Sequence, residues 1–373
     1  MLTEEASTTP ANILPAADAV PLIASPLTDT GPQPINPADC PGWNSLVMGH
    51  PRGSFFHCSA WAQTLQGAYN FTPVYFTAGD AEGSSAILPL MEVDSWLTGR
   101  RGIALPFTDD CEPLYSDAAT VQRLIQAALK FGRARGWKSV EWRGGREIFG
   151  ETQTSLSFYG HCLELVEDED RMFARLESSV RRAIRKAEKS GVKVTISRTL
   201  EAMKVFYSLQ CKTRRKHGLP PQPFAFFQNI FEHILSKNLG MIAIASSQQH
   251  PIAASVYFQL GSRAVYKYGA SDESCQHLRG PNAVMWEAIK WHARNGAKTL
   301  HLGRTSIGNE GLRKFKLGWG AEENKIEYFK YDMRNERFIT ETDESTGWYN
   351  RVFKLLPTGL SRLIGALLYR HCA

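Results

Sequence analysis

In this 373-residue chain, the stretch that first invites a chemical reading is "GLRKFKLGWGAE", Gly311 to Glu322. Lys314 and Lys316 flank Phe315, and Trp319 lies between Gly318 and Gly320. Lysines near a helix C-terminus ordinarily favour the macrodipole and stay in solvent. The alternative is a site that handles an anionic substrate, which paired lysines would attract. Arg304 ends the preceding segment "HLGR", where a strand end would present it to a phosphate or carboxylate; pairing with Glu310 is the alternative. Lys267 lies in "VYKYGASDE", and strict alternation there puts Tyr266 and Tyr268 on one face and Lys267 on the other. Asp109, in "LPFTDDCEP", suits a turn, and Asp272 suits a turn or cap.

Other chemistries lack their signatures. There is no G-x-S-x-G elbow, Walker loop, G-x-G-x-x-G after a strand, or H-E-x-x-H, which argues against a serine hydrolase, an NTPase, a dinucleotide enzyme or a zincin. The seven cysteines are scattered without a C-x-x-C pair, so neither a disulfide framework nor a zinc site is expected. Reduced, mostly buried thiols are the expectation, with no metal.

Positive charge is concentrated. The net charge is +6, yet no Lys or Arg precedes Arg52, and Glu4, Glu5, Asp18, Asp29 and Asp39 make that region acidic. Such a start is not that of a secretory signal or an Arg-rich transit peptide. No apolar run reaches the roughly 18 residues of a membrane span, so a cytosolic body is expected. Arg171 to Val194 carries eight basic and two acidic residues at helical spacing, with Met172, Phe173, Leu176, Val180, Ala183, Ile184 and Ala187 as its apolar stripe. Arg181, Arg182, Arg185 and Lys186 on that helix, and Arg214 and Arg215 in "KTRRKHGLPPQPFAFF", are candidates for holding phosphates. Trp348 to Ala373 has four Lys/Arg, no acid, and leucines at helical spacing. It suits a docking helix on the protein or contact with anionic lipid.

The elements that must position these residues repeat. "VYFTAGDAEGSSAILPLMEV" (Val74 to Val93) and "MIAIASSQQHPIAASVYFQL" (Met241 to Leu260) both read as strand, polar turn, strand. Each half then has a helix, a glycine (Gly136, Gly296) at a C-cap position and a short alternating strand. Asn309 can cap a helix starting at Glu310, with Leu312 and Phe315 inward and Gly318 ending it, before a strand from Lys325 to Met333. Residues 1–40, rich in proline, cannot offset their ordering entropy by burial and are expected to be disordered. Order is expected to start near Trp43, followed by an aromatic helix over Ser54 to Tyr69.

Strand, short helix, glycine-aromatic, strand resembles the closing pattern of GNAT-like acyltransferase domains. Together with "SFFHCSAWAQTL", "LPFTDDCEPLY", "VRRAIRKAEKSGVKV", "KYGASDE" and "GPNAVMWEAIKWHARNG", the segment "HLGRTSIGNEGLRKFKLGWGAE" resembles the FemAB-related proteins over roughly Ser54 to Tyr328. The resemblance implies an α/β (α+β) fold of tandem GNAT-like domains, each with a mixed, mostly antiparallel sheet flanked by helices. The expected division is 1–40 tail, 41–165 first domain, 166–335 second and catalytic domain, and 336–373 basic amphipathic segment. It implies acyl or aminoacyl transfer onto an amine of a cell-envelope precursor, of peptidoglycan or of exopolysaccharide as in the PEP-CTERM-associated subgroup. Lys316 would stand at the reacting centre, with Arg304, Lys267 and Asp109 binding substrate. The donor would be aminoacyl-tRNA or acyl-CoA, with no tightly bound cofactor and no DNA partner, at the inner face of the cytoplasmic membrane. The place of the CoA pyrophosphate loop is "QHLRGPNAVMWEAI". Arg279 and Gly280 are present there, but Pro281 removes an amide and Asn282 replaces a small residue. That favours the tRNA donor over a CoA-dependent N-acyltransferase. A non-catalytic module binding anionic envelope or nucleic-acid partners is the reading from another class.

Overall fold

The structure, a computed structural model, describes residues 32–79, 85–343 and 348–371. One sheet of 13 strands runs through both halves. From one edge its order is Thr72–Pro73, Met91–Val93, Arg101–Ile103, Ser139–Arg143, Glu322–Asp332, Leu156–Glu164, Thr299–His301, Arg263–Ser271, His250–Leu260, Gly240–Ser247 and Lys193–Ser197. Two short strands, Thr305–Ser306 and Arg337–Ile339, lie off this path. Pairing is antiparallel except at two places, Arg101–Ile103 beside Ser139–Arg143 and Arg263–Ser271 beside Thr299–His301.

Those parallel pairs are the repeat seen in the sequence. Helix Ala118–Arg135 makes the first crossover and Gly280–Arg294 the second, because parallel neighbours need a long connection. Asp117 caps the first helix by accepting from Thr120 N at 2.7 Å. Its face of Val121, Leu124, Ile125, Ala128 and Leu129 enters a core with Trp137 and Trp142. Gly136 (φ 71°) and Gly296 (φ 81°) are left-handed. They allow the same closing bond, Trp137 N to Gly132 O at 2.8 Å and Ala297 N to His292 O at 3.0 Å.

The halves are interlocked at the centre of the sheet. Glu322–Asp332 belongs late in the chain yet pairs with Ser139–Arg143, and Leu156–Glu164 pairs with Thr299–His301. Strands from either side of residue 165 therefore share one hydrogen-bonded ladder, which fixes the loops of the first half over the sheet of the second.

Several local expectations change. Residues 1–31 of the proline-rich stretch lie outside the described residues, while Ile35 exchanges backbone hydrogen bonds with Tyr75 and Pro37 is buried. Packing thus begins ahead of Trp43. The aromatic helix splits into a 3-10 turn, Phe55–His57, and a helix, Ser59–Tyr69. The basic helix also splits, into Glu169–Arg175 and Ser178–Lys189, because Leu176 turns extended and Glu177 N donates to Gly318 O at 2.9 Å. A tertiary hydrogen bond there overrides helical periodicity.

Candidate active site

The site begins where two parallel strands part. Arg263–Ser271 and Thr299–His301 are paired over only three residues, ending at Val265 and His301. Beyond them, the register against His250–Leu260 shifts: Val256 opposes Tyr268 and Tyr257 opposes Tyr266, which leaves Lys267 as the extra residue of a β-bulge. The bulge overturns the alternation expected for this strand. Tyr266 packs with Tyr257 in one core, whereas Tyr268 packs with Phe206, Phe226 and Phe227 in the other. Lys267 lies on the Tyr268 side, with its ammonium 5.1 Å from the Phe56 ring centre and 5.5 Å from that of Tyr268.

In the gap Lys267 Nζ meets Asp109 Oδ2 at 3.0 Å, with both side chains largely buried. Asp109 comes from the first half, so the charged cluster is built by both. Burial opposes the charge on Asp109, but the Lys267 ammonium and Arg304 guanidinium outweigh it and hold the carboxyl down at about 2. The loop presenting Asp109 is strained: Leu105 (φ 54°) and Phe107 (φ 61°) are left-handed without being glycine. Buried Arg143, paired with Glu141 at 2.8 Å, donates to Leu105 O and Thr108 O and pins that loop. Tyr328 Oη adds a bond to Asp109 O at 2.7 Å and receives Arg304 Nη1 at 2.6 Å.

Lys316 is 3% exposed, the one fully buried residue of helix Glu310–Leu317. Asn309 caps that helix as expected, accepting from Leu312 N at 3.1 Å. The inward face differs from expectation, since Leu312 is exposed and Lys316 and Trp319 point in. Lys316 Nζ donates to Gly303 O at 2.7 Å and Arg304 O at 2.9 Å, the turn by which Thr299–His301 leaves its neighbour. Burial lowers its pKa to about 8, Asp109 opposing and Lys267 adding to the effect. It is therefore no solvated partner of the helix dipole. An ammonium has three N–H donors, and two are committed to carbonyls here.

Arg304 rests on the Phe158 ring, its guanidinium 4.3 Å from the centre. Arg313 takes up Glu310, the partner suggested for Arg304. The phosphate candidates do not join the Lys267–Asp109–Lys316 cluster. Val180, Ile184 and Ala187 turn the basic helix inward; Arg182, Arg185 and Lys186 are exposed and Arg181 is half-buried. Arg182 donates to Ser178 Oγ and Arg185 lies over Phe173. Arg214 is drawn into structure, donating to Pro220 O and Tyr369 Oη, while Arg215 reaches Lys354 O. Arg279 is the left-handed residue before helix Gly280–Arg294, and Gly280 packs closely on Ile252 and Ala253. Asp272 caps a 3-10 turn and pairs with Lys212. Among the free cysteines of the described residues, Cys58, Cys111 and Cys211 are buried and Cys40, Cys162 and Cys275 half-buried.

Sequence reasoning missed Arg143, Glu141 and Tyr328. The signal for two of them was present: "EWR" puts charges of opposite sign into a strand bounded by Gly144 and Gly145. Charges in a central strand need partners.

Residues 174–326 match the model of the acetyltransferase (GNAT) domain family. The second half is accordingly a GNAT domain, and the chain is an acyltransferase. Its fold, two such units in tandem, is FemAB-like. It resembles the crystal structure of FemX with a TM-score of 0.62 at 14% identity, over 76% of this chain and 94% of that one. It also resembles a tandem GNAT protein from the clavulanic acid biosynthesis pathway, with a TM-score of 0.52 at 10% identity over 81% and 98%. L-PGS from Bacillus licheniformis gives a TM-score of 0.50 at 10% identity over 92% and 100%. A search of curated protein sequences finds no match.

Proposed function

We propose that the chain transfers an aminoacyl or acyl group from an activated donor to an amine of a cell-envelope precursor, of the peptidoglycan or exopolysaccharide type. The observation that carries this reading is the burial of Lys316 in the gap between the parted strands, held by two backbone carbonyls beside the Lys267–Asp109 pair. Its remaining N–H is a donor for the oxyanion formed when an amine attacks an ester or thioester. No covalent nucleophile is required.

Donor choice leans towards aminoacyl-tRNA. A helix N-terminus binds an anion through first-turn amides. In helix Gly280–Arg294 Pro281 has none, and Asn282 N is turned back onto Arg279 O at 3.0 Å. That leaves a CoA pyrophosphate little to hold, whereas the outward Arg182, Arg185 and Lys186 suit tRNA phosphates. An acyl-CoA donor is the second reading.

The work would be done at the inner face of the cytoplasmic membrane. Among the described residues no helix is long and apolar enough to cross a membrane. Helix Thr358–Leu368 instead buries Ser361 and Gly365 against the protein and turns Leu360, Leu363 and Leu367 outward at 45%, 58% and 61% exposure. Trp96, 84% exposed, packs edge-on against His371 beside the end of this helix. Leucines, a tryptophan and cations without acids suit an anionic lipid surface.

The test is donor binding to the full chain, comparing acetyl-CoA, aminoacyl-tRNA and uncharged tRNA at two salt concentrations. Binding of aminoacyl-tRNA in preference to uncharged tRNA is expected. Saturable acetyl-CoA binding would replace the tRNA donor by CoA, and failure of all three would overturn the reading.

A further inference from the structure

Helix Glu310–Leu317 packs on strand Leu156–Glu164 over a polar network, where apolar side chains would seat a helix at no greater cost. His161, on that strand, has a fully buried ring, and its Nε2 lies 3.1 Å from Glu323 Oε2. Glu323 stands directly opposite on the neighbouring strand Glu322–Asp332. The same carboxylate receives Arg313 Nε and Nη2 at 2.8 Å each. Arg313 precedes Lys316 by one helical turn, and its guanidinium lies 4.3 Å from the Tyr159 ring centre.

His161 also reaches the other side of Lys316. Its carbonyl accepts from Leu302 N at 2.8 Å. Leu302 leads into Gly303 and Arg304, whose carbonyls hold Lys316 Nζ. One residue is thus fastened to the helix carrying the lysine, through its side chain, and to the turn receiving the ammonium, through its main chain. The Glu323 carboxylate can only accept, so the ring proton is on Nε2. Hydrogen bonds from Arg313 hold that carboxyl below its ordinary range. Burial, and then the Lys316 ammonium, lower the His161 ring from its usual value, so at pH 7.5 it is neutral and adds no charge beside the lysine.

We infer that the Arg313–Glu323–His161 network aims the Lys316 ammonium, with His161 as the positioning residue of the transfer reaction. This rests on the transfer reading above. Lys316 has one N–H left for the oxyanion, and a displacement of about 1 Å costs about 100-fold in rate. Neither of its supports is rigid alone. The helix has eight residues, and the turn begins where the parallel pairing ends, at His301. Arg313 and Glu323 tie the helix to the sheet, the His161 ring fixes the Glu323 carboxylate, and the His161 carbonyl ties the turn to the same strand.

The test is a double-mutant cycle between His161 and Lys316 in the full chain, read in turnover with the donor identified by binding and in urea unfolding. His161→Leu should lower kcat about tenfold or more and leave KM within about twofold, because aim matters in the transition state and not in substrate binding. His161→Gln, whose amide can donate to Glu323 in place of Nε2, should restore kcat to within about threefold of wild type. In a Lys316→Met background His161→Leu should cost no further turnover, and the urea midpoints of the cycle should be non-additive. If the leucine variant does not fold, Glu323→Gln, at a partly exposed position, should show the same loss in kcat. Additive rates and midpoints, a loss confined to KM, or an unchanged kcat in Glu323→Gln would each overturn the inference. Non-additive midpoints with turnover indifferent to Lys316 would sink the transfer reading and leave the lysine held by His161. Turnover that depends on Lys316 with a fully additive cycle would do the reverse.

Discussion

Lys316→Met separates what this lysine does for the reaction from what it does for the fold. Holding the ammonium at about 8 instead of the ordinary 10.5 corresponds to about 3 kcal/mol of unfavourable burial at neutral pH. Methionine removes that cost but leaves Gly303 O and Arg304 O without their donor, at about 1–3 kcal/mol each. The two effects largely cancel, so the variant should remain within about 3 kcal/mol of the parent at pH 7.5. The pH dependence is sharper. The unfolded chain keeps the proton up to 10.5 and the folded chain releases it near 8. Between these values the unfolded state binds more protons, so the wild type gains stability with rising pH. Urea unfolding of both proteins at pH 7.5 and pH 10 should show the difference between them shifting by about 2 kcal/mol in favour of the wild type. Other titrating groups cancel in that difference. Turnover with the donor identified by binding should fall about 100- to 1000-fold, the loss expected of an oxyanion donor. Turnover within threefold of wild type, or a stability difference independent of pH, would refute the reasoning.

Asp109→Ala should cost about 3–5 kcal/mol, because it strands a buried Lys267. Asp109 lies at about 2 in the fold, below its ordinary 3.8. Its contribution is full above the unfolded value and lost as pH falls from about 4 to 2, so acid unfolding of the variant should lack that segment of the wild-type curve. Arg143→Met should be destabilised similarly through Glu141, and Glu141→Leu/Arg143→Met should regain most stability without regaining turnover. Calorimetry and a rate assay read the two effects separately. Leu363→Glu/Leu367→Glu should leave the thermal midpoint unchanged and abolish cosedimentation with vesicles containing anionic lipid. Retained sedimentation would remove this helix from the membrane reading.

Much of the fold was legible because its signals are local. Gly136 and Gly296 end the crossover helices, and Asn309 starts the helix of Lys316, through groups a few residues apart. Lys316 stood out by its place in a motif, but its burial did not. In sequence, Leu312 and Phe315 were the natural inward residues, and only the turn at Gly303–Arg304 supplies carbonyls that make a buried ammonium tolerable. Arg214 reads as a phosphate ligand until Tyr369, far along the chain, is seen to hold it.

The sequence by itself determined the duplicated order of strands and crossover helices, their caps, and the basic and leucine-rich faces. Hydrophobic period and capping chemistry are written within single turns or strands. Tertiary structure alone decided the bulge at Lys267 and the left-handed loop that brings Asp109 to it. A bulge is a relation between two strands. The Lys267–Asp109 pair joins residues 158 positions apart. Such features depend on which surfaces meet, and here they meet because the strands of the two halves share one sheet.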